Sequence, residues 1–310
     1  MNFKKNLVLV LGKSGQISKS INKLKAKSNF DLIFFDRKEI NFNEDIYPKL
    51  SKLISKENPQ FIVNAAAYTG VDKAEDDIKN AMQVNGYSVG QIAKLCSELR
   101  IPLFHYSTDY VFGDNGNEYL SPDQEKKPNC VYGKSKLLGE KLINNYVSSN
   151  SLEAIVMRIS WVFSNGNNNF LRTILNLARE KDEIKLINDQ VGGPTSSDSV
   201  ASATIKILNE YFDKKFLEQE YAFPWGEYHF QGSPVVTWYE FACEIVNEAK
   251  ELGLIKKIPT ITPISTKAYS SKTNRPLNSR LSMKSSKSNL NLSSPLWKKD
   301  LISCLKNLNI

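Results

Sequence analysis

The sequence predicts a doubly wound α/β fold, in which helices cover both faces of a parallel sheet. Five apolar runs have the length of buried strands and lie at residues 7–11, 31–35, 60–64, 102–107 and 154–160. Amphipathic segments with helical periodicity lie between them, at 46–57, 74–99 and 132–147. Because continuous apolar strands that alternate with helices are typical of a parallel sheet, we expect the Rossmann-type arrangement.

The alternation of strands and helices ends at about residue 165. Helical patterns continue at 168–181, 198–212 and 237–252, but the connections become longer and richer in Pro, Gly, Asn and Ser. We therefore predict a sheet domain over residues 1–165 and a smaller lobe built mainly from residues 166–310, with later segments returning to the sheet.

Composition excludes several classes of protein. The formal net charge is +8, and its excess lies in residues 250–310, which contain 12 Lys or Arg but only two acidic residues. These basic residues are scattered without interleaved aromatic side chains, so we expect a solvated face and no nucleic-acid binding.

No apolar stretch approaches the ~18 residues of a membrane helix, which predicts no membrane association. The run Leu7–Leu11 follows two lysines but precedes no small-residue cleavage site, so we interpret it as a strand and not as a signal peptide.

The cysteines and histidines predict no metal site. The four cysteines lie far apart without a C-x-x-C pair, and the chain has only two histidines. We expect reduced thiols and a cytoplasmic protein.

The first apolar run ends in a glycine loop, Gly12-Lys13-Ser14-Gly15. A P-loop would need a glycine at the position of Leu7, which lies inside the strand, so that interpretation fails on spacing. A turn that places backbone N–H groups around a pyrophosphate fits better, because Gly12 and Gly15 stand between strand and helix.

Dinucleotide binding gains support from the end of the next strand. There Asp36 could bind the ribose hydroxyls of NADH, or Arg37 the 2′-phosphate of NADPH.

Two further segments carry groups for carbonyl chemistry. Tyr132 and Lys136 are four residues apart, so a helix places them on one face. A phenol has a pKa of about 10, and we expect the Lys136 ammonium to lower that of Tyr132 so that it can transfer a proton. Thr108 follows an apolar strand, at the sheet edge where ligands of α/β proteins bind, and could orient a carbonyl oxygen. His105 in the same strand is expected to contribute to packing.

Eight motifs follow one another over nearly the whole chain: GKSGQI, the Asp36-Arg37 pair, NAAAYTGVDKAE, HYSTDYVF, YGKSKLLGE, RISWVF, INDQVGGPTS and NRPLNSRL. In this order they resemble the dTDP-4-dehydrorhamnose reductases, which are extended short-chain dehydrogenase/reductases. The resemblance implies reduction of the 4-keto group of dTDP-4-dehydro-L-rhamnose by NADPH or NADH, for polysaccharide synthesis. It implies that residues 1–165 bind the dinucleotide and that the second lobe binds the sugar nucleotide.

The resemblance also implies roles for individual positions. Cofactor contacts fall on Gly15, Gln16 and Ile17 at the pyrophosphate, Asp36 or Arg37 at the adenosine ribose, Asn41 and Phe42 beside the adenine, and Ala67, Tyr68, Thr69 and Tyr106 along the cofactor. The catalytic set is Thr108, Tyr132 and Lys136, and the substrate contacts are Asp109, Trp161 and Arg275. Ser20 replaces a glutamate that some members use at a magnesium-linked dimer interface, so we predict no metal bridge there and leave a homodimer open.

Related activities remain as alternatives. A reductase for another nucleotide-linked 4-keto-6-deoxysugar and an epimerase both share the Tyr–Lys pair. A 4,6-dehydratase would need a second carboxylate after Thr108-Asp109, where Tyr110 stands. A non-catalytic regulatory subunit on the same fold is disfavoured, because the catalytic set is complete.

Overall fold

The computed structural model describes residues 6–114, 116–149, 151–166, 169–216, 222–269 and 271–308. The strands, in chain order, are β1 (Leu7–Leu11), β2 (Asp31–Phe35), β3 (Phe61–Asn64), β4 (Leu103–Thr108), β5 (Ala154–Ile159), β6 (Val162–Phe163), β7 (Glu183–Ile187), β8 (Val191–Gly192), β9 (Thr195–Ser196), β10 (Gly226–Phe230), β11 (Val236–Thr237), β12 (Thr260–Ile264) and β13 (Asn278–Ser279). The α-helices are α1 (Gln16–Lys23), α2 (Tyr47–Glu57), α3 (Val71–Asp76), α4 (Ile78–Met82), α5 (Ser88–Leu99), α6 (Val131–Ser148), α7 (Phe170–Glu180), α8 (Ser197–Phe216), α9 (Trp238–Glu251), α10 (Lys284–Leu290) and α11 (Trp297–Lys306).

The central sheet has six parallel strands in the order β10-β5-β4-β3-β1-β2. Strands β1 to β5 are the five predicted from the sequence, and their ends agree with the prediction to within one residue. The doubly wound fold is therefore confirmed. The chain turns back at β1, which pairs with β2 on one side and β3 on the other. In such a sheet, ligands bind where the strand order reverses, at the carboxyl ends of the strands.

Helices cover both faces of this sheet. One face packs against α1 and α8, and the other packs against α2, α5 and α6. The region predicted as one helical segment, 74–99, consists of α3, α4, a π-turn at Gln83–Tyr87 and α5. The helix breaks at Asp77, whose backbone is not helical (φ −128°, ψ 51°).

The second lobe has its own apolar core, which α7, α9 and α11 enclose. Three small sheets, β11-β8-β13, β12-β7 and β6-β9, belong to the chain after β5. Two later segments return to the first layer, because β10 extends the central sheet and α8 packs against α1. The boundary at residue 165 stays a prediction. Within the described ranges, no helix is long and apolar enough to cross a membrane.

Candidate active site

The glycine loop lies at the point where the strand order reverses. Gly12 has φ +92°, and a Cβ atom there would lie 2.7 Å from the backbone of Ala66. Only glycine therefore fits between the ends of β1 and β3. The amides of Gly12 and Lys13 donate to the Phe35 carbonyl at 2.9 and 3.0 Å, which ties the loop to the end of β2.

The helix after this loop begins with a glycine. Gly15 is the N-cap of α1, and it has no side chain that could accept from the amides of the first turn. Amides at an uncapped helix start can bind an anion, as the pyrophosphate prediction requires. Ser18, at the place of a third glycine, is fully buried, and its hydroxyl has no hydrogen-bond partner among the described residues. Gln16 accepts from Ser164 at 2.9 Å, and Ile17 packs against the sheet core.

The predicted ribose contacts follow β2. Asp36 accepts from the Lys38 amide at 2.8 Å, and this bond, helped by Glu39, lowers the pKa of its carboxyl. Arg37 is exposed. Asn41 contacts Glu44 at 2.5 Å, whereas the side chain of Phe42 is only 6% exposed and packs in the core.

Asn85 holds the loop that follows β3, where the cofactor contacts Ala67, Tyr68 and Thr69 were predicted. It is fully buried in the π-turn and exchanges two hydrogen bonds with the Tyr68 backbone, at 2.8 and 2.9 Å. It also donates to Ser135 of α6 at 3.0 Å. Asn85 was not predicted, because its role depends on which loop the π-turn meets.

Thr108 and Asp109 form a buried pair at the end of β4. The Thr108 hydroxyl donates to Asp109 Oδ1 at 3.0 Å and accepts from the Tyr110 amide at 3.3 Å. Asp109 Oδ2 has no hydrogen-bond partner in the described part of the chain. Burial raises the pKa of Asp109 to about 6, against the opposing effects of Ser279 and Thr108.

Tyr132 lies near the start of α6, close to Thr108. Its ring packs edge-on against that of Tyr110, with centroids 5.4 Å apart. Burial raises the pKa of Tyr132 above its ordinary value of 10, and the interaction with the Thr108 hydroxyl opposes this change only in part. The predicted lowering of this pKa by Lys136 is therefore wrong for this structure, because burial of the phenol outweighs the favourable contacts.

Lys136 lies one helical turn after Tyr132 and is only 2% exposed. Its ammonium nitrogen donates to the Tyr106 carbonyl at 2.6 Å and lies 3.4 Å from His105 Nε2. Burial lowers the pKa of Lys136 to about 8, although Glu140 acts in the opposite direction. Tyr106 reaches this site only through its carbonyl, since its hydroxyl pairs with Thr204 on the other side of β4.

The predicted substrate contacts occupy two places. Arg275 donates to Tyr110 at 3.3 Å and to Asp72 at 2.7 Å, while its Nε is buried without a partner among the described residues. Arg275 therefore joins the Thr108–Tyr132 group through Tyr110. Trp161 has φ +47° and stacks on Trp238, with ring centroids 3.5 Å apart.

Ser20, the position of the metal-bridge prediction, lies on the face of α1 that packs against α8. Ser20 donates to Asp198 at 2.7 Å and lies 2.8 Å from the Ser197 hydroxyl, so its partners are in α8. Among the described residues, no group of three or more His, Cys, Asp or Glu could hold a metal ion. The absence of a metal from the reaction stays a prediction.

Comparisons with known proteins agree with this geometry. The family model described as RmlD substrate binding domain matches residues 6–310. A dTDP-4-dehydrorhamnose reductase of Escherichia coli is 34% identical over 292 residues, which make up 94% of each chain. The solved dTDP-4-dehydrorhamnose reductase of Clostridium acetobutylicum has a TM-score of 0.84 at 27% identity, covering 98% of this chain and 100% of that chain. That of Bacillus anthracis, solved in complex with NADP, has a TM-score of 0.79 at 26% identity, covering 97% and 99%. The chain belongs to the dTDP-4-dehydrorhamnose reductase family.

Proposed function

We propose that the protein reduces the 4-keto group of dTDP-4-dehydro-L-rhamnose to give dTDP-L-rhamnose, with NADPH or NADH as reductant. The observation that carries the proposal is the grouping of Thr108, Tyr132 and Lys136 at the carboxyl end of β4. The names of the relatives and the NADP complex of the Bacillus anthracis enzyme support the same reaction.

The residues around the glycine loop fit a dinucleotide. Gly12 leaves no room for a side chain, and the uncapped start of α1 offers amides to a pyrophosphate. Asp36 is held as a carboxylate beside the exposed Arg37, so one can accept from ribose hydroxyls and the other can pair with a 2′-phosphate. When bound, the nicotinamide supplies the hydride.

Each catalytic residue has a separate role in the reduction. Thr108 can turn its hydroxyl from Asp109 Oδ1 to the 4-keto oxygen, which gains negative charge during reduction. Tyr132 donates its phenolic proton to that oxygen as the carbonyl becomes a hydroxyl. Its raised pKa keeps the phenol protonated at neutral pH, which is the form that a proton donor needs. Lys136, fixed on the Tyr106 carbonyl, lies where it can hold the nicotinamide ribose.

The substrate-binding roles rest on charge and shape. Arg275 has a buried Nε without a protein partner in the described chain, and it can pair with the anionic nucleotide part of the substrate. Asp109, behind Thr108, can accept from a sugar hydroxyl. Trp161 stacks on Trp238 but is only partly buried, so the rest of its ring can contact the substrate.

The test is an assay of NADPH and NADH oxidation at 340 nm with dTDP-4-dehydro-L-rhamnose, followed by identification of the product. Other nucleotide-linked 4-keto-6-deoxysugars are run in parallel. If the enzyme prefers one of these sugars, the proposed substrate is wrong, but the proposed reaction, reduction of a 4-keto group, still holds. No oxidation with any of them would refute the enzyme assignment and favour a regulatory subunit.

Tyr132→Phe tests the proton donor. We expect kcat to fall about 100- to 10,000-fold because the proton transfer is lost, while NADPH still binds. Stopped assays measure turnover, and fluorescence titration measures cofactor affinity. Tyr119→Phe is the matched control, since Tyr119 is 54% exposed. Unchanged turnover in Tyr132→Phe would refute the assignment.

Location and assembly complete the proposal. A cytoplasmic site of action is supported by four free cysteines, of which Cys96, Cys130 and Cys304 are buried. A homodimer stays a prediction, and light scattering of the purified protein tests it.

A further inference from the structure

The first turn of α6 carries Tyr132, and a carboxylate from another helix holds this turn. Glu75 of α3 accepts a hydrogen bond from the Val131 amide at 2.9 Å. Val131 is the first residue of α6, so this amide has no acceptor within its own helix. The helix dipole also favours a carboxylate at this end of a helix. Glu75 therefore supplies the partner that the backbone immediately before Tyr132 requires.

The cap that α6 provides for itself is weaker. Cys130, the N-cap residue, accepts from the Gly133 amide through its sulfur at 3.4 Å. A thiol sulfur is a weak acceptor, whereas a carboxylate oxygen makes a short, charge-assisted hydrogen bond. Of these two contacts, the one with Glu75 fixes the start of the helix more firmly.

The loop after β4 packs closely against the same turn. A Cβ atom at Gly133 would lie 2.4 Å from the Tyr110 carbonyl oxygen, so only glycine fits between the helix and this loop. The Tyr110 ring also meets the Tyr132 ring edge-on, with centroids 5.4 Å apart. Because Tyr110 lies two residues after Thr108, a shift of this turn changes the distance between the Thr108 and Tyr132 hydroxyls.

We propose that Glu75 is a positioning residue, whose carboxylate holds the Val131 amide and thereby fixes the Tyr132 hydroxyl relative to Thr108. Its effect on the reaction is geometric and passes through the backbone of one residue. Proton transfer requires hydrogen-bond reach, and a misplacement of about 1 Å can lower a rate about 100-fold. The inference rests on the proposed function, because it explains how the proton donor of that reaction is placed.

The helix that carries Glu75 is anchored on two sides. Ala74 is fully buried, and α3 packs against α6. Asp72, one turn before Glu75, pairs with Arg275 at 2.7 Å. The helix that holds the turn of Tyr132 therefore also holds Arg275, which we propose to bind the nucleotide part of the substrate.

Two substitutions separate the reach of Glu75 from its charge. Glu75→Gln keeps an acceptor oxygen at the same distance but removes the charge, whereas Glu75→Asp keeps the charge but is one methylene shorter. We expect kcat to fall about 10-fold or more in Glu75→Asp and to stay near the wild-type value in Glu75→Gln, with little change in the KM for NADPH. A role in stability alone would lower the yield of folded protein and leave kcat per folded molecule unchanged.

Asp76→Asn is the matched control on the same helix. Asp76 follows Glu75 and pairs with Lys272 at the surface, at 3.0 Å, so we expect the wild-type kcat. Full kcat in Glu75→Asp, or an equal loss in Glu75→Gln and Glu75→Asp, would overturn the inference. A loss of the same size in Asp76→Asn would also overturn it, since any change on α3 would then lower turnover.

Hydrogen exchange of the Val131 amide tests the contact without substrate or cofactor. In 1H–15N spectra of protein labelled with 15N-valine, the Val131 signal is assigned by Val131→Ile. We expect slow exchange in wild type and in Glu75→Gln, and faster exchange in Glu75→Asp. A wild-type Val131 amide that exchanges like an unprotected amide would overturn the inference, whether or not the protein is active. Inactive wild-type protein with a protected Val131 amide would instead refute the proposed function and leave the contact with Glu75 established.

Discussion

Two successive turns of α6 carry buried charges in opposite environments. Glu140 pairs with Arg158 through both carboxylate oxygens, at 2.9 and 2.8 Å, and Arg158 also meets Glu227 of β10. We call these three residues the ion cluster. Lys136, one turn earlier, has no carboxylate within ion-pair distance in the described chain, and its contacts are the Tyr106 carbonyl and His105.

The ion cluster consists of paired charges that stabilise the fold, whereas Lys136 is an unpaired charge that is available for catalysis. Removing one member of a buried, paired cluster leaves a charge without compensation, which costs about 3–5 kcal/mol. An unpaired buried lysine already destabilises the folded state, and the same burial brings its pKa toward neutral pH, where it can react. Asp109 belongs with Lys136, because one of its oxygens is buried without a partner among the described residues.

Arg158→Met should give the largest effect. Glu140 and Glu227 would lose their shared cation, so we expect the free energy of unfolding to fall by about 3–5 kcal/mol at pH 7. Urea unfolding followed by circular dichroism measures it. Arg179→Met is the control, since Arg179 is exposed and donates a hydrogen bond to the Leu254 carbonyl at 3.3 Å. Equal losses in the two variants would show that the ion cluster contributes no special stability.

Lys136→Met should raise the free energy of unfolding, whereas Arg158→Met lowers it. A folded-state pKa of about 8 instead of the ordinary 10.5 corresponds to a penalty of about 3 kcal/mol. This penalty is complete below pH 8, shrinks as pH rises and vanishes above 10.5. After a loss of about 1 kcal/mol for the hydrogen bond to Tyr106, we expect the variant to be about 2 kcal/mol more stable at pH 7.

Urea unfolding at pH 7 and at pH 10 measures this gain and its decline. Lys134→Met is the matched control on the same helix, because Lys134 is exposed. A variant less stable than wild type at pH 7 would contradict the view that Lys136 is held at the expense of stability.

Much of this arrangement could be predicted from sequence, where the signal is local. The five predicted strands of the central sheet are largely apolar, and Tyr132 and Lys136 are one helical turn apart. β10 was missed because its sequence, GEYHF, contains a glutamate and a histidine that face the buried Arg158. Such polar residues resemble a surface strand until their partner is known.

The network around Lys136 could not be predicted, since it depends on strand order. Asn64 and His105 are 41 residues apart and meet because β3 pairs with β4 in register. The pKa direction of Tyr132 likewise depends on burial, which the spacing of Tyr132 and Lys136 does not show. The loop at 215–226 was not interpreted, and its residues 217–221 lie outside the described ranges. Trp225, in the same loop, packs between Phe223 and Tyr211, with centroids 4.4 and 5.6 Å apart.

Glu227→Gln should have the smallest effect and a pH window opposite to that of Lys136→Met. Burial alone would raise the pKa of Glu227, but Arg158 lowers it from 4.5 to about 2. Its stabilisation is complete above pH 4.5 and is lost as pH falls through 2. Glu227 is 19% exposed and glutamine keeps a hydrogen-bonding oxygen, so we expect a loss of only about 1 kcal/mol at pH 7. Urea unfolding from pH 7 to pH 3 should show wild type and variant converging at acid pH. A gap that stays constant to pH 3 would mean that Glu227 acts through packing and not through its charge.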